Sequence, residues 1–220
     1  MVNDKVAKRN SFRKIVDFIL FPIRAIVLIE KDRWGLSSLA SERFFYVSQQ
    51  VHGYCLDMGC GKHNRFIIEF LDGNGRGIDV YQYEGLTPEH IVDDMSHLPF
   101  DNQSFDSITF IANLNHIPQA MRDIELAEAF RCLKKDGNII VTMGNPVAET
   151  IAHKLVWLYD RFLGTRFDMD GERGMHEGEQ YYLLDREIRE RLIKAGFVNI
   201  KKKYFVTQWF LNHMFIAWKQ

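Results

Sequence analysis

Short apolar runs alternate with amphipathic helical patterns along most of the chain, which is typical of an α/β fold. Runs of strand length occupy residues 54–58, 75–80, 91–92, 104–113, 138–143, 197–207 and 214–218. Apolar residues at helical spacing predict helices over 11–29, 41–51, 65–71, 119–133 and 186–195. Strands separated by helices can pair in parallel, whereas the last two are joined by a short connection and must form an antiparallel hairpin. We therefore expect an α/β protein with a mostly parallel sheet.

The first predicted strand leads into a glycine turn. Asp57 ends the strand, Gly59 and Gly61 form a Gly-x-Gly pattern, and helix 65–71 follows. Such a unit brings a ligand close to bare backbone, and the helix N-terminus adds amide donors and a positive dipole. A dinucleotide site favours Gly or Ala at the position of Asn64. The turn thus predicts a cofactor site that differs from a dinucleotide site.

Acids end the next two strand-like runs as well. Asp79, with Val80 beside it, follows the short run that begins at residue 75, 22 positions after Asp57. An acid at that place commonly accepts hydrogen bonds from ribose hydroxyls. Asp94 follows the run at 91–92, where a carboxylate can accept from the exocyclic amine of adenine while Met95 packs on the ring. The acids therefore predict a nucleoside-containing cofactor.

These motifs resemble the class I S-adenosylmethionine-dependent methyltransferases, particularly the type 11 group. The matching segments, in order, are 56–61 (Leu-Asp-Met-Gly-Cys-Gly), 77–79 (Gly-Ile-Asp), 94–100 (Asp-Met-Ser-His-Leu-Pro-Phe), 105–106 (Phe-Asp) and 128–137 (Glu-Ala-Phe-Arg-Cys-Leu-Lys-Lys-Asp-Gly). The resemblance implies a Rossmann-like, seven-stranded, mostly parallel sheet with helices on both faces and an antiparallel last strand. It also implies S-adenosyl-L-methionine as cofactor. One departure is His63, where many members have a third glycine.

The resemblance implies a role for each motif residue. Asp57, Gly59 and Gly61 would hold the methionine part, Asp79 the ribose, and Asp94 with Met95 the adenine. Val80 is a further cofactor-binding candidate. Two other classes of function stay open: a non-catalytic scaffold with this fold, and a nicotinamide-dependent dehydrogenase. Asn64 and the C-terminal hairpin disfavour the dehydrogenase.

The fourth predicted strand ends in a polar segment that suits the acceptor side of such a site. Ligands of open α/β sheets bind outside the carboxyl ends of the strands, where Asn113, Asn115 and His116 follow this strand. A histidine with an ordinary pKa near ~6.5 can remove a proton from a hydroxyl acceptor. His116 is therefore our candidate base, which favours methylation at oxygen. Asn113 is expected to contact the cofactor and Asn115 the substrate. The alternative for His116 is a hydrogen-bonding or orienting role.

A long segment at about 145–184 lies between the fifth strand and the next helix, where the family inserts substrate-recognition elements. It begins with a helical pattern and then becomes polar and glycine-containing, which suits either a closing loop or a solvated connector. The candidate substrate residues are Trp34, Asn115, Arg173, His176, Glu177 and Tyr181. The pair His176-Glu177 lacks a second ligand pair at helical spacing, so we predict no metal site.

The N-terminus has a basic amphipathic pattern. Apolar residues from Phe12 to Val27 recur at helical spacing, and residues 5–24 hold six basic side chains and one acid. Such a helix can contact an anionic membrane, pack across its own domain and cover the cofactor, or bind a partner. Arg24 and Pro22 interrupt the apolar runs, which argues against a transmembrane span. The absence of a small-residue cleavage site argues against a secretory signal. We assign residues 1–33 to this segment and 34–220 to the methyltransferase domain.

Charge and cysteine content restrict the partners and the compartment. The formal net charge of −1 gives no general attraction to nucleic acid, so methylation of DNA or RNA is not expected. Three cysteines without paired spacing disfavour a disulfide framework and suit a reducing, cytoplasmic location. If residues 5–29 meet a membrane, the protein would be peripheral on its inner face, and the acceptor would be a lipid-linked sugar, a glycan precursor or a quinone-like lipid. Otherwise we expect a small acceptor. The sequence leaves the oligomeric state open.

Overall fold

The computed structural model describes residues 11–28, 31–145 and 182–220. Its strands are β1 (Cys55–Met58), β2 (Gly75–Ile78), β3 (Phe105–Ile111), β4 (Leu133–Gly144), β5 (Val198–Tyr204) and β6 (Asn212–Trp218). Its α-helices are α1 (Ser11–Ile19), α2 (Phe21–Val27), α3 (Leu39–Ser48), α4 (Gln119–Cys132) and α5 (Asp185–Lys194). Short 3-10 turns lie at Lys62–Asn64, Pro88–His90 and Val206–Gln208, and the helix predicted at 65–71 is a π-helical turn, Phe66–Phe70.

A single mixed sheet organises the described residues, in the order β2-β1-β3-β4-β6-β5. The first four strands in this order are parallel, and β6 is antiparallel to both β4 and β5. The expected α/β architecture with an antiparallel last strand is confirmed. Six of the seven predicted strands form. The one predicted at 91–92 is reduced to a single parallel bridge between Asp79 and Ile91. Only two apolar residues precede the acids at 93–94, so the ladder cannot extend further.

The two faces of the sheet bury separate apolar clusters, because successive side chains of a strand point to opposite faces. On one face Leu56 and Ile108 pack with Leu126 of α4 and Ile188 of α5. On the other face, residues from β1, β4 and β6 pack with Val47 of α3 and Phe66. Helices therefore cover both faces, and the carboxyl ends of the parallel strands meet at one edge.

Helix α4 forms where predicted, although it turns a different face to the sheet. Ile124 and Ala127 are among the apolar residues whose spacing predicts this helix and its buried face, but both are exposed. The helix buries Arg122, Glu125, Leu126, Ala129 and Cys132. Small residues let the helix approach the sheet, and the aliphatic stem of a buried arginine packs like an apolar side chain.

The N-terminal helix predicted over 11–29 is two helices, because Pro22 starts a new helix at its first turn. The face that meets the domain also differs from the expectation. Asp17 and Arg24, assigned by pattern to other faces, are buried, whereas most of the apolar residues are exposed. Buried hydrogen bonds, described below, hold the two charged residues inside.

Helix α5 begins at Asp185, one residue earlier than predicted, and Leu184 occupies the N-cap position. An acid directly before the predicted helix 186–195 is a typical N-cap residue, so the Asp185 carboxylate is expected to cap it. Instead it pairs with Lys202 of β5 and lies 3.0 Å, through Oδ1, from Nε2 of His213 on β6. The side chain therefore ties the helix to the antiparallel hairpin.

Candidate cofactor and acceptor site

The glycine turn after β1 has backbone conformations that favour glycine. Gly59 and Gly61 have φ angles of 77° and 61°. A Cβ at Gly59 would lie 2.7 Å from Oδ1 of Asn113, whereas a Cβ at Gly61 would meet no atom within 4 Å. Gly59 is thus required by close packing inside the protein, and Gly61 faces open space where a ligand can approach the backbone.

His63 retains the backbone conformation that a third glycine would take. Its φ and ψ are 59° and 10°, in the left-handed region, and its amide donates to the carbonyl of Glu84 at 2.8 Å. The absence of a glycine there therefore leaves the path of the turn intact. The imidazole points toward the 84–85 loop, 3.8 Å from Oε1 of Glu84.

Asn64 packs against β2 where the glycine turn lies closest to that strand. Its side chain is buried, and Nδ2 lies 3.3 Å from Nε2 of His90. A Cβ on Gly77 would lie 2.6 Å from Cγ of Asn64 and 2.7 Å from Cβ of Cys60. In this protein Gly77 on β2 makes room for the close packing of turn and strand. In a dinucleotide-binding fingerprint, the third glycine, at the start of the helix, has that role.

Asp57 is buried in the sheet beside the turn. Its side chain is 1% exposed, and Oδ1 accepts a hydrogen bond from Thr109 Oγ1 at 2.6 Å. Burial raises the pKa of Asp57 to about 8, because a charge is costly away from water. The carboxyl is therefore mostly neutral at pH 7. Thr109, which no sequence motif indicated, lies directly opposite Asp57 in the β1–β3 register.

Asp79 connects the glycine turn to the end of β2. One carboxylate oxygen accepts from the amide of Gly61 and the other from the amide of Tyr81, both at 3.0 Å. These bonds fix the carboxylate at the carboxyl edge of the sheet, directly beside the open space at Gly61. The neighbouring Val80 is exposed, which leaves an apolar surface next to the acid.

The proposed adenine residues differ in exposure. Asp94 is exposed, and its hydrogen bond with Ser96 lowers its pKa, so the carboxylate is charged. Met95 is only 7% exposed and belongs to the main apolar cluster with Val92 and Leu98. Asp94 therefore offers an acceptor to solvent, while Met95 presents little surface for a ring to pack on.

The loop after β3 places the acceptor-side candidates at the same edge. Asn113 donates to the carbonyl of Met58 at 3.1 Å, which brings it against the glycine turn. Asn115 is buried and its Nδ2 lies 3.2 Å from Nε2 of His116. When the amide donates in this pair, His116 Nε2 is the acceptor and its other ring nitrogen carries the hydrogen.

Arg122 holds this loop and was missed by sequence reasoning. Its guanidinium is fully buried and donates to the carbonyls of Ile117 at 2.8 Å and Asn115 at 3.2 Å. It also pairs with Glu187 of α5 at 3.4 Å. An arginine in the first turn of a helix carries no distinctive sequence signal, so only the tertiary contacts show that it supports the loop.

Of the other predicted substrate residues, the structure describes only Trp34. Trp34 is 74% exposed in the loop between α2 and α3, and the carbonyl of the adjacent Gly35 accepts a hydrogen bond from Arg13 of α1. This places Trp34 beside the N-terminal helices. Arg173, His176, Glu177 and Tyr181 lie outside the described residues, as does most of the insertion predicted at about 145–184.

The methyltransferase domain family matches residues 56–141, from the first strand of the site through β4. This region is a class I methyltransferase domain. The matched residues include the glycine turn, Asp79, Asp94 and the loop from Asn113 to His116. S-adenosyl-L-methionine is the cofactor of this family, as the sequence motifs implied.

Curated relatives match about half of the chain. The ubiquinone/menaquinone biosynthesis C-methyltransferase UbiE of Bartonella tribocorum is 33% identical over 145 residues, covering 60% of this chain and 52% of that protein. The demethylmenaquinone methyltransferase of Lactobacillus johnsonii is 34% identical over 116 residues, covering 49% of this chain and 45% of that protein. The chain therefore spans about half the length of the curated relatives it matches.

Solved structures agree in fold at low sequence identity. A SAM-dependent methyltransferase from Archaeoglobus fulgidus superposes with a TM-score of 0.54 at 15% identity, covering 94% of both chains. The [4+2]-cyclase SpnF superposes with a TM-score of 0.56 at 16% identity, again covering 94% of both. Because a cyclase shares the fold, the fold alone does not establish the reaction.

The described residues fit S-adenosyl-L-methionine at this edge. The open space at Gly61 admits a ligand to the backbone, and the Asp79 carboxylate, a hydrogen-bond acceptor, is held beside it. Asp94 adds an exposed, charged acceptor. Asp57 lies inside the sheet, where it accepts a hydrogen bond from Thr109.

Proposed function

We propose that the protein transfers a methyl group from S-adenosyl-L-methionine to a small or lipid- or glycan-linked acceptor that carries a hydroxyl group. The observation that carries the proposal is the Asp79 carboxylate, fixed by the amides of Gly61 and Tyr81 next to the open side of the glycine turn. An acid in this place suits a ribose. The loop of Asn113, Asn115 and His116 then lies at the same edge for the acceptor.

The cofactor supplies an electrophilic methyl group and its own thioether leaving group, so the protein has to position the acceptor and manage its proton. His116 is our candidate for the proton. Its Nε2 engages the amide of Asn115, and Arg122 holds the loop through the carbonyls of Asn115 and Ile117. The other ring nitrogen of His116 carries the hydrogen in this pair, so Nε2 takes the proton of the acceptor hydroxyl once it exchanges the Asn115 amide for that hydroxyl. The acceptor oxygen keeps the electron pair of the broken O–H bond and uses it to form the new bond to the methyl carbon.

The acceptor class that we favour is a hydroxylated, quinone-like lipid. The matching relatives are named for quinone biosynthesis, one as a C-methyltransferase and the other as a demethylmenaquinone methyltransferase. A phenolate shares its charge between oxygen and ring carbons, so proton removal by His116 serves methylation at either atom. We retain oxygen as the expected atom, and product analysis by mass spectrometry and NMR distinguishes it from carbon.

An acceptor of this kind would place the protein at a membrane. We propose a peripheral contact through residues 5–29 on the inner face of a bilayer. Every helix in the described ranges is too short or too polar to cross a membrane. A surface contact needs no such span.

Calorimetric titration with S-adenosylmethionine and S-adenosylhomocysteine tests the cofactor assignment, with NADH as a comparison ligand. We expect micromolar affinity for the sulfur compounds, roughly −8 kcal/mol, and loss of at least ~10-fold in an Asp79→Asn variant, because an amide has one acceptor oxygen where the carboxylate has two. Asp101→Asn is the matched control, since Asp101 is exposed and far from the turn in sequence.

Each result has a defined meaning. Absence of binding to either sulfur compound by the folded wild type would favour a non-catalytic scaffold, and binding of NADH alone would reject the proposal.

If binding is found, single-turnover methylation of hydroxylated quinone analogues by His116→Gln tests the base. We expect a rate decrease of ~10²-fold with unchanged cofactor affinity. An unchanged rate would leave His116 with an orienting role.

A further inference from the structure

The helices α1 and α2 present an apolar face to solvent. Seven large apolar side chains on them are between 40% and 77% exposed: Phe12, Ile15, Phe18, Ile19, Ile23, Ile26 and Val27. Exposed apolar side chains grouped on two neighbouring helices often mark an interaction site in a folded protein. We call these residues, together with Trp209 and Phe210, the apolar face.

Buried charges fix this face outward. Arg24 donates to the carbonyls of Ser37 and Asp17, each at 2.8 Å, and to Glu42 Oε2 at 2.7 Å. It also lies 3.6 Å from the Asp17 carboxylate. Glu42 accepts further bonds from Thr207 and Gln208. Turning the apolar residues inward would force Arg24 out of this network and leave Glu42 buried without a counter-charge, at a high cost in free energy.

The exposed charge on α1 and α2 has one sign within residues 12–28. Asp17 is the only acid among residues 12–28, and it is buried beside Arg24. The other charged residues of this range are Arg13 and the exposed Lys14. A surface that combines exposed apolar side chains with basic ones complements the headgroups and acyl chains of an anionic bilayer.

The apolar face adjoins the edge of the sheet that carries the cofactor site. The connection between β5 and β6 contributes Trp209 and Phe210, which are 43% and 52% exposed. Nε1 of Trp209 donates to the carbonyl of Phe18 at 2.7 Å, and its ring packs 5.4 Å from Phe21. Asn212 pairs with Gly144, the last residue of β4, so this connection lies at the carboxyl edge of the parallel strands.

We propose that the apolar face docks on an anionic lipid bilayer. Arg13 and Lys14 contact the headgroups, and the indole of Trp209 lies at the interface between headgroups and acyl chains. Docking in this orientation brings the carboxyl edge of the sheet to the membrane surface, where a lipid acceptor is available. Docking specifies the peripheral contact of the proposed function, and the supply of a lipid acceptor rests on the methyl transfer proposed there.

Flotation of the full chain with vesicles tests the docking. We compare vesicles of equal parts phosphatidylglycerol and phosphatidylcholine with vesicles of phosphatidylcholine alone. Wild type is expected to float with the anionic vesicles and to partition several-fold less onto the neutral ones. The double variant Ile19→Glu/Ile23→Glu is expected to lose ~10-fold or more of its partitioning, because each change places a charge on the inserted face.

A matched control is available on other surfaces. Ile193 and Ile68 are 63% and 58% exposed, close to the 64% and 55% of Ile19 and Ile23. The double variant Ile193→Glu/Ile68→Glu should float as wild type does. Titration of both variants with S-adenosylmethionine is expected to match wild type, so a failure of docking is separable from a failure of the cofactor assignment.

Several outcomes would overturn the proposal. Equal flotation of wild type and Ile19→Glu/Ile23→Glu would remove the lipid contact, as would an equal loss in both double variants. A wild-type dimer that the Ile19 and Ile23 substitutions dissociate, without vesicle binding, would assign the face to a second copy of the chain. A lower unfolding temperature for this variant than for its control would show that the protein itself covers the face.

Discussion

At the scale of single residues, the site depends on an acid that the fold keeps mostly neutral. Asp57 lies inside the sheet with Thr109, while Asp79 is fixed at the sheet edge and Asp94 is exposed. Burial therefore raises the pKa of Asp57, whereas hydrogen bonding to Ser96 lowers the pKa of the exposed Asp94. The sequence places all three at strand ends, but their environments come from the packing around them.

The neutral state of Asp57 predicts a pH-dependent effect on stability. The folded pKa of about 8 exceeds the ordinary value of 3.8, so the unfolded chain holds fewer protons at this residue between those values. The contribution of Asp57 to the free energy of unfolding is therefore greatest below pH 3.8 and decreases as the pH rises toward 8. Replacing Asp57 by Asn should remove this decline.

Urea unfolding at pH 5 and pH 8 measures the effect. From pH 5 to pH 8, the free energy of unfolding is expected to fall more for wild type than for Asp57→Asn. Asp101→Asn, at an exposed position, is the control for the loss of one carboxylate. Parallel pH profiles for wild type and Asp57→Asn would show that Asp57 is charged in the folded protein.

At the scale of elements, the glycine turn and β2 meet too closely for a side chain on the strand. We expect Gly77→Ala to destabilise the protein by about 1–3 kcal/mol, because the added methyl group would overlap Asn64 and Cys60. Chemical unfolding measures this loss. Combining Gly77→Ala with Asn64→Ala should recover part of it, since the overlap with the asparagine amide is then removed.

Gly73→Ala separates overlap from backbone strain. Gly73 has a φ of 75°, and a Cβ added there would meet no atom within 4 Å. This variant should lose stability only through its backbone conformation, about 1 kcal/mol, and Asn64→Ala should not rescue it. Strict additivity of Gly77→Ala and Asn64→Ala would mean that the two positions are not in contact.

At the scale of the whole molecule, the N-terminal helices and the domain share one buried charge network. Glu42 on α3 receives hydrogen bonds from Arg24 on α2 and from Thr207 and Gln208 near the C-terminus. Segments that are remote in sequence therefore complete one another. We expect residues 11–28 to unfold together with the domain.

A chain that begins at Asp32 tests this coupling. The loss of Arg24 leaves the Glu42 carboxylate buried without its cation, which should lower the free energy of unfolding by about 3–5 kcal/mol. The single change Arg24→Met should cause a loss of similar size for the same reason, and adding Glu42→Gln should restore part of it. Full stability of the shortened chain would show that the helices are an independent attachment.

Much of the architecture follows from local patterns in the sequence. Strand and helix positions along the sheet, the antiparallel hairpin and the glycine turn were predicted, because apolar periodicity and glycine placement report directly on backbone geometry. Helix faces were predicted less well. Ile124 is exposed where Arg122 is buried, since the sequence pattern does not show which polar groups will find partners inside the fold.

The sequence by itself determined the order of the elements, the methyltransferase motifs and the basic amphipathic character of the N-terminus. Only the tertiary structure decided that Asp57 is neutral, that Arg122 supports the loop of His116, and that α1 and α2 turn their apolar side chains outward. These outcomes depend on burial and on hydrogen bonds between residues far apart in the chain. A charge that is buried without partners is very costly in free energy, and the spacing of apolar residues does not show which charges will find partners. The buried Arg24–Glu42 ion pair can therefore decide which helix face turns inward, against the prediction from hydrophobicity alone.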